Sequence, residues 1–169
     1  MHEMQPIDAL QWAAEHADQL QPPECNKSIF KGDQLECMLV AGPNDRTDFH
    51  INPTEEFFYQ IEGRLVLTIM QEVGAGIVRN EILIEQGKCF LLPSRVPHNP
   101  RREEGSLGLV IERRRPEGVE DKTVWYCKQC NAILQEYSFQ CKDLDSNILD
   151  AIKSNSLIAN QLCSRCQTQ

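Results

Sequence analysis

The 169-residue sequence lacks any excess of basic residues: 17 lysines and arginines face 25 aspartates and glutamates, for a net charge of −8 at pH 7. Nucleic acid and anionic membrane surfaces both demand a basic face, so neither is expected as a main partner. No apolar run approaches the roughly 20 residues of a membrane-spanning helix. The opening M-H-E-M-Q-P-I-D has no basic start followed by an apolar stretch, so no export signal is predicted. Internal repeats and low-complexity tracts are absent, which leaves an ordinary globular chain. Histidine is scarce, with four in all, and His2 and His16 lie in a polar N-terminal segment, leaving His50 and His98. Cysteine is not scarce. Of the eight, half fall into two C-x-x-C pairs. Without an export signal, that pattern favours metal binding over a disulfide framework, and the cytoplasm as location.

The length suits one domain with residues to spare. Asp8 predicts an N-cap for a short helix from Ala9 to Leu20, stopped by Pro22-Pro23. From Ser28 onward short β-like runs follow, at residues 35–41, 48–50, 56–61, 65–70, 77–84, 89–92 and 107–112. Turn signals such as Asn52-Pro53, Glu62-Gly63 and Gln86-Gly87 separate them. Many short strands at this spacing predict a mainly β sandwich or small barrel. Arg113 to Lys122 is charged, contains Pro and Gly, and reads as a linker, with Arg113 to Arg115 as solvated side chains. Beyond it Leu144, Ile148, Leu149 and Ile152 recur at helical spacing within residues 143–154, bracketed by the cysteine pairs.

The stretch Arg46 to Gly63, R-T-D-F-H-I-N-P-T-E-E-F-F-Y-Q-I-E-G, carries the first chemical signal. Alternate side chains of a strand share a face, so His50 goes with Arg46 and Asp48. By the same count Glu56 goes with Phe58 and Gln60, opposite Glu55, Phe57 and Tyr59. Once Pro53 has turned the chain, His50 and Glu56 can face one interior, and His98 in L-L-P-S-R-V-P-H is the third ligand sought. Two imidazoles and a carboxylate with open positions are the ligand set of a non-heme Fe(II) oxygenase. The plainer reading is three hydrogen-bonded core residues. It is hardest to sustain for Glu56, because a carboxylate inside a small barrel is costly unless paired or bound to a cation.

Cys127 and Cys130, then Cys163 and Cys166, make the second signal, a paired C-x-x-C signature of a tetrathiolate metal site. Four thiolates close the coordination shell, so this site is expected to staple the tail and to stand apart from catalysis. Cys25, Cys37, Cys89 and Cys141 read as ordinary thiols.

Gly42, Asp48, His50, Glu56 and Gly63 are spaced like the first motif of the cupin barrels, with Asp48 where many members carry a histidine. Gly87, Pro93 and His98 resemble the second motif, with Arg95 in place of its usual glycine. Four segments extend the match: G-P-N-D-R-T-D-F-H-I-N-P-T-E-E-F-F-Y-Q, F-L-L-P-S-R-V-P-H-N-P, L-V-I-E-R-R-R-P, and W-Y-C-K-Q-C with its later C-x-x-C. With them the chain resembles the 3-hydroxyanthranilate 3,4-dioxygenases over nearly its whole length.

That resemblance implies a cupin, a small double-stranded β-helix or jelly-roll barrel, over residues 1–115 with its N-terminal helix. It implies a rubredoxin-like, metal-stapled extension containing a helix over residues 116–169. The implied activity is Fe(II)-dependent opening of 3-hydroxyanthranilate by O2 to 2-amino-3-carboxymuconate semialdehyde, the precursor of quinolinate and NAD. Catalytic iron is assigned to His50, Glu56 and His98, a second iron or zinc to Cys127, Cys130, Cys163 and Cys166, and the assembly is a homodimer. Substrate or oxygen contacts fall to Arg46, Arg102 and Glu112 alongside Glu56. A guanidinium suits the substrate carboxylate through two parallel hydrogen bonds, and Glu112 suits the amino group. Strand parity agrees, since Arg46 shares a face with His50, and Glu112 with Gly108 and Val110. Counting in extended chain puts Arg102 on the side of His98 and Arg101 opposite, but Pro100 leaves the choice between them open. A cupin sensing a small aromatic acid, or a dioxygenase of another aromatic substrate, would use the same constellation.

Overall fold

In a computed structural model the described residues are 5–22, 25–44, 46–74, 76–144, 146–154 and 162–167. Asp8 caps helix α1 (Ala9–Glu15) as expected, its Oδ1 accepting from the backbone N–H groups of Leu10 at 3.1 Å and Gln11 at 3.0 Å. The helix does not run unbroken to Leu20. At His16 the ring Nδ1 lies 2.8 Å from the Trp12 carbonyl, which also accepts the His16 backbone N–H, and the imidazole stacks on Trp12. The chain leaves α geometry there and continues as a 3-10 turn, Ala17–Leu20, whose Leu20 packs with Leu39 and Leu107. Of the Pro22-Pro23 stop, Pro23 lies outside the described residues.

Eleven strands follow among the described residues: β1 (Asn26–Lys31), β2 (Leu35–Ala41), β3 (Phe49–Ile51), β4 (Glu56–Glu62), β5 (Arg64–Val73), β6 (Gly76–Glu85), β7 (Cys89–Leu92), β8 (His98–Arg102), β9 (Leu107–Arg113), β10 (Asp121–Tyr126) and β11 (Ile133–Phe139). Two further helices are found among the described residues, α2 (Asn147–Ser154) and α3 (Ser164–Gln167). The strands form two antiparallel sheets, ordered β1-β2-β9-β4-β7 and β11-β10-β3-β8-β5-β6. This is the mainly β, cupin-type barrel expected. The apolar interior joins Met38, Phe58 and Val110 of one sheet to Leu65, Leu67 and Ile69 of the other, with Leu144 packed against them. Each such fully buried side chain contributes about 1.5–3 kcal/mol.

Polar strands are where the sequence pattern falls silent. β8 reads H-N-P-R-R and carries a proline, yet His98, Asn99 and Arg102 are buried in it. β10 begins inside the supposed linker, with Asp121 fully buried, and pairs with β3 on one side and β11 on the other. Residues beyond position 115 thus extend the six-stranded sheet.

Candidate metal centre

Two sheets supply the site. His50 on β3 and His98 on β8 are cross-strand partners in one sheet, while Glu56 on β4 stands opposite Glu112 on β9 in the other. The Asn52-Pro53 turn carries the chain between them, and the ligand atoms of His50, Glu56 and His98 come within 4.8 Å of one another. All three residues are at most 5% exposed, whereas Glu55 points to solvent, as strand alternation requires.

The hydrogen bonds of each ring decide which nitrogen is free. His98 Nδ1 lies 3.0 Å from the Val96 carbonyl, which can only accept, so Nδ1 carries a proton and Nε2 is the nitrogen turned to the cluster. That Nε2 is 3.2 Å from Glu56 Oε2. His50 Nε2 lies 2.7 Å from Asp121 Oδ2, so here Nε2 is the donor and Nδ1 is free. Burial holds the His50 pKa below its ordinary value against the pull of Asp121, keeping the ring neutral. Burial also opposes ionisation of Glu56, but the His98 and His50 rings outweigh it and bring its carboxyl down to about 2. Two imidazoles and a buried carboxylate converging on one point fit a divalent transition-metal cation.

The cluster lies in a cavity that Arg46, Arg102 and Glu112 also line. Arg102 is 4% exposed and donates from Nη1 to Gln60 Oε1 at 2.8 Å, while its Nε is buried without a partner. Space for the guanidinium exists because residue 108 is glycine: a Cβ there would sit 2.4 Å from Arg102 Nη1. Burial lowers the Arg102 pKa to about 10, which still leaves it charged at neutral pH. Arg101, in contrast, points outward and pairs with Glu81 at 2.5 Å. Arg46 is held by Asp48 through two bonds of 3.1 Å and 2.7 Å. Burial, with the neighbouring charge of Glu56, pushes Glu112 up to about 8 against the pull of Arg115.

Several site residues escaped the sequence pattern. Arg115 is not a solvated rim residue: its side chain is 3% exposed and bridges Glu112 at 2.7 Å and Asp121 at 2.6 Å. Arg113 and Arg114 do face solvent. Asn52 donates to Glu112 at 2.8 Å. Leu144, Ile148 and Ile152 form an apolar wall of the cavity, so the predicted helical face serves the site. Their spacing was visible, but what the face covers depends on the tail folding back. Cys25 also lines the cavity, and burial pushes its thiol pKa up, which makes it inert.

The four paired cysteines come together as the spacing predicts, their sulfurs all within 4.8 Å of one another. A hydrogen bond from the backbone N–H of Cys163 is the largest of the effects that lower Cys127 to about 6, so it is a thiolate at neutral pH. After Cys130 the chain makes a left-handed turn at Asn131, with φ of 58°, a conformation asparagine tolerates.

The family profile of "3-hydroxyanthranilic acid dioxygenase" matches residues 1–155. The chain is 41% identical over 165 residues to the 3-hydroxyanthranilate 3,4-dioxygenase of Candida albicans, covering 97% of this chain and 94% of that one. It is 37% identical over 164 residues to that of Bacillus thuringiensis, covering 96% and 90%. Among solved structures it is similar to a cupin-2 domain containing protein from Shewanella frigidimarina, with 19% identity, 60% and 91% coverage and a TM-score of 0.47. Since the match spans the barrel strands and both residue sets of the cavity, the chain belongs to the 3-hydroxyanthranilic acid dioxygenase family.

Proposed function

We propose that this chain uses Fe(II), held by His50, Glu56 and His98, to open the ring of 3-hydroxyanthranilate with O2, yielding 2-amino-3-carboxymuconate semialdehyde. The observation that carries this reading is one cavity containing both the His/Glu/His cluster and a recessed, charged Arg102. Arg102 pairs with the substrate carboxylate, which turns the hydroxyl and amino groups toward the cluster. Glu112 accepts a hydrogen bond from the amino group. Arg46 offers N–H donors beside the cluster, and the wall of Leu144, Ile148 and Ile152 keeps water from the reacting groups. Iron, when bound, supplies the electronic route between the ring and O2 that their spin states otherwise forbid. The substrate itself yields the four electrons that reduce O2, and both oxygen atoms enter the product, so no external reductant is needed.

In this reading the four-cysteine site holds iron or zinc as a staple. None of the eight cysteines is paired in a disulfide, which suits a reducing compartment and supports the cytoplasm. A homodimer is what the family resemblance implies, and exposed Tyr59 and Leu91 on the adjacent strands β4 and β7 offer apolar surface for it. The test is oxygen uptake and formation of the ring-opened chromophore after anaerobic metal loading of metal-free protein. Fe(II) restores both and zinc restores neither, because zinc has no accessible redox change. Equal activity with zinc, or none with iron, overturns the proposal.

A further inference from the structure

A chain of buried ionic contacts runs from the metal cluster into the segment after β9. His50 Nε2 donates to Asp121 Oδ2 at 2.7 Å, and Asp121 is fully buried. Arg115 then grips Asp121 from the other side, Nε donating to Oδ1 at 2.9 Å and Nη2 to Oδ2 at 2.6 Å. Its remaining nitrogen, Nη1, reaches Glu112 Oε2 at 2.7 Å. One guanidinium therefore touches both the carboxylate behind the histidine and the carboxylate in the substrate cavity.

We propose that Asp121 and Arg115 are positioning residues for the metal centre. Asp121 holds Nε2 of the His50 ring and so leaves Nδ1 as its free nitrogen, and Arg115 locks Asp121 while setting the place of Glu112. The inference rests on reading His50, Glu56 and His98 as metal ligands. The physical case has three parts. A ligating imidazole must present one nitrogen, and a carboxylate on the other fixes both the proton and the ring plane. A carboxylate as deeply buried as Asp121 is retained only with partners, and its partners are His50 and Arg115. Finally, His98 is oriented differently, by the neutral carbonyl of Val96, so the two rings differ in how firmly they are held.

The asymmetry between the rings provides the test. Metal-free protein is titrated with Co(II), without substrate, and proton NMR in water follows the exchangeable imidazole N–H signals shifted by the paramagnetic ion. Thiolate-to-cobalt absorption reports the four-cysteine site separately. In the parent the His50 N–H, buried against Asp121, gives a slowly exchanging signal. Asp121→Ala lowers Co(II) affinity at the histidine site about 10- to 100-fold, and the His50 signal is lost to exchange. The His98 signal and the thiolate absorption stay as in the parent. Asp121→Asn, which keeps the shape and an acceptor oxygen but not the charge, gives a smaller affinity loss and a displaced His50 signal. It decides the matter if the alanine variant does not fold. Arg115→Met displaces the same signal and, unlike Asp121→Asn, also weakens anaerobic binding of 3-hydroxyanthranilate through Glu112. Parent-like affinity and an unchanged His50 signal in a folded Asp121 variant overturn the proposal. Because the cobalt readouts need no turnover, a parent that binds Co(II) as described but fails to cleave the ring refutes the proposed function and not this inference.

Discussion

The two metal-competent clusters of this molecule are built on opposite plans. The barrel cluster takes three donors of mixed chemistry from three strands in two sheets, all buried, with positions left over for other ligands. The tail cluster takes four identical donors, two from the turn after β10 and two from the start of α3, with Cys127 buried and Cys130 exposed, and would leave a bound metal no open coordination position. In the first, the fold makes the site. In the second, a bound metal would tie two segments far apart in sequence, adding to the order that β10, β11 and the buried Val124, Trp125 and Leu144 already give the tail. A ligand removed from the barrel should therefore cost chemistry before stability, and one removed from the tail should cost stability before chemistry.

The largest effect expected is on the barrel side. His50→Ala, Glu56→Ala and His98→Ala should each reduce ring cleavage by at least about a thousandfold, a loss of about 4 kcal/mol in transition-state stabilisation. Glu55→Ala should remain near the parent, since its side chain faces solvent. Iron content per chain checks the assignment. A Glu56 variant that kept its iron, beside a Glu55 variant that lost it, would reverse the reading of β4.

Next comes the division between neighbouring arginines. Arg102→Ala should weaken anaerobic substrate binding by about 2–5 kcal/mol, the cost of leaving the substrate carboxylate unpaired in a closed cavity. Arg101→Ala should change little, since it breaks only an exposed pair with Glu81. Gly108→Ala should reproduce part of the Arg102 defect without touching any charge, because its Cβ occupies the space of the guanidinium. Equal dissociation constants for the Gly108 variant and the parent would mean that Arg102 does not need that seat.

The tail tests the comparison from its other end. Cys127→Ser with Cys130→Ser should remove one metal per chain and lower the melting temperature by roughly 5–10 °C. The sequence reading expected catalysis to be indifferent to this loss. Yet the cavity wall of Leu144, Ile148 and Ile152 lies between the two cysteine pairs, which ties the tail to the substrate site. The expected result is a raised KM with kcat per catalytic iron held within a few fold. A collapse of that normalised kcat would instead give the second metal a part in turnover.

How much could be read beforehand follows from these two plans. Strand alternation is a local rule, so Glu56, Phe58 and Gln60 were assigned to one face correctly, and C-x-x-C spacing is local too. What could not be read depends on distant chain segments meeting. Asp121 and Arg115 sit in a run whose composition resembles a solvated linker, and only the pairing of β10 with β3 brings Asp121 behind His50. The end of the first helix at His16, where ring and backbone N–H both meet the Trp12 carbonyl, is likewise below the resolution of a helical pattern. The choice between Arg101 and Arg102 stayed open in the sequence because a proline obscured the count. The register of β8 against β5 then settled which of them faces inward.

The smallest effect concerns a feature both clusters share. Each has a non-glycine residue in left-handed backbone: Arg95 before His98, with φ of 64°, and Asn131 after Cys130, with φ of 58°. For most residues that conformation costs roughly 1–2 kcal/mol, because Cβ crowds the following carbonyl, and asparagine tolerates it better. Arg95 is exposed and its backbone N–H donates to the Asn52 carbonyl at 2.8 Å, a bond glycine would keep. Asn131 adds a side-chain bond to the Ile77 carbonyl at 3.2 Å, which glycine would lose. Glycine's greater unfolded-state entropy costs about 0.5–1 kcal/mol at either position. Arg95→Gly should therefore stabilise the protein by about 0.5–1 kcal/mol, and Asn131→Gly should be neutral or slightly destabilising. Urea midpoints at matched metal content check both. If the two variants moved the midpoint equally, the difference between an unassisted and a side-chain-assisted left-handed turn would have no energetic consequence here.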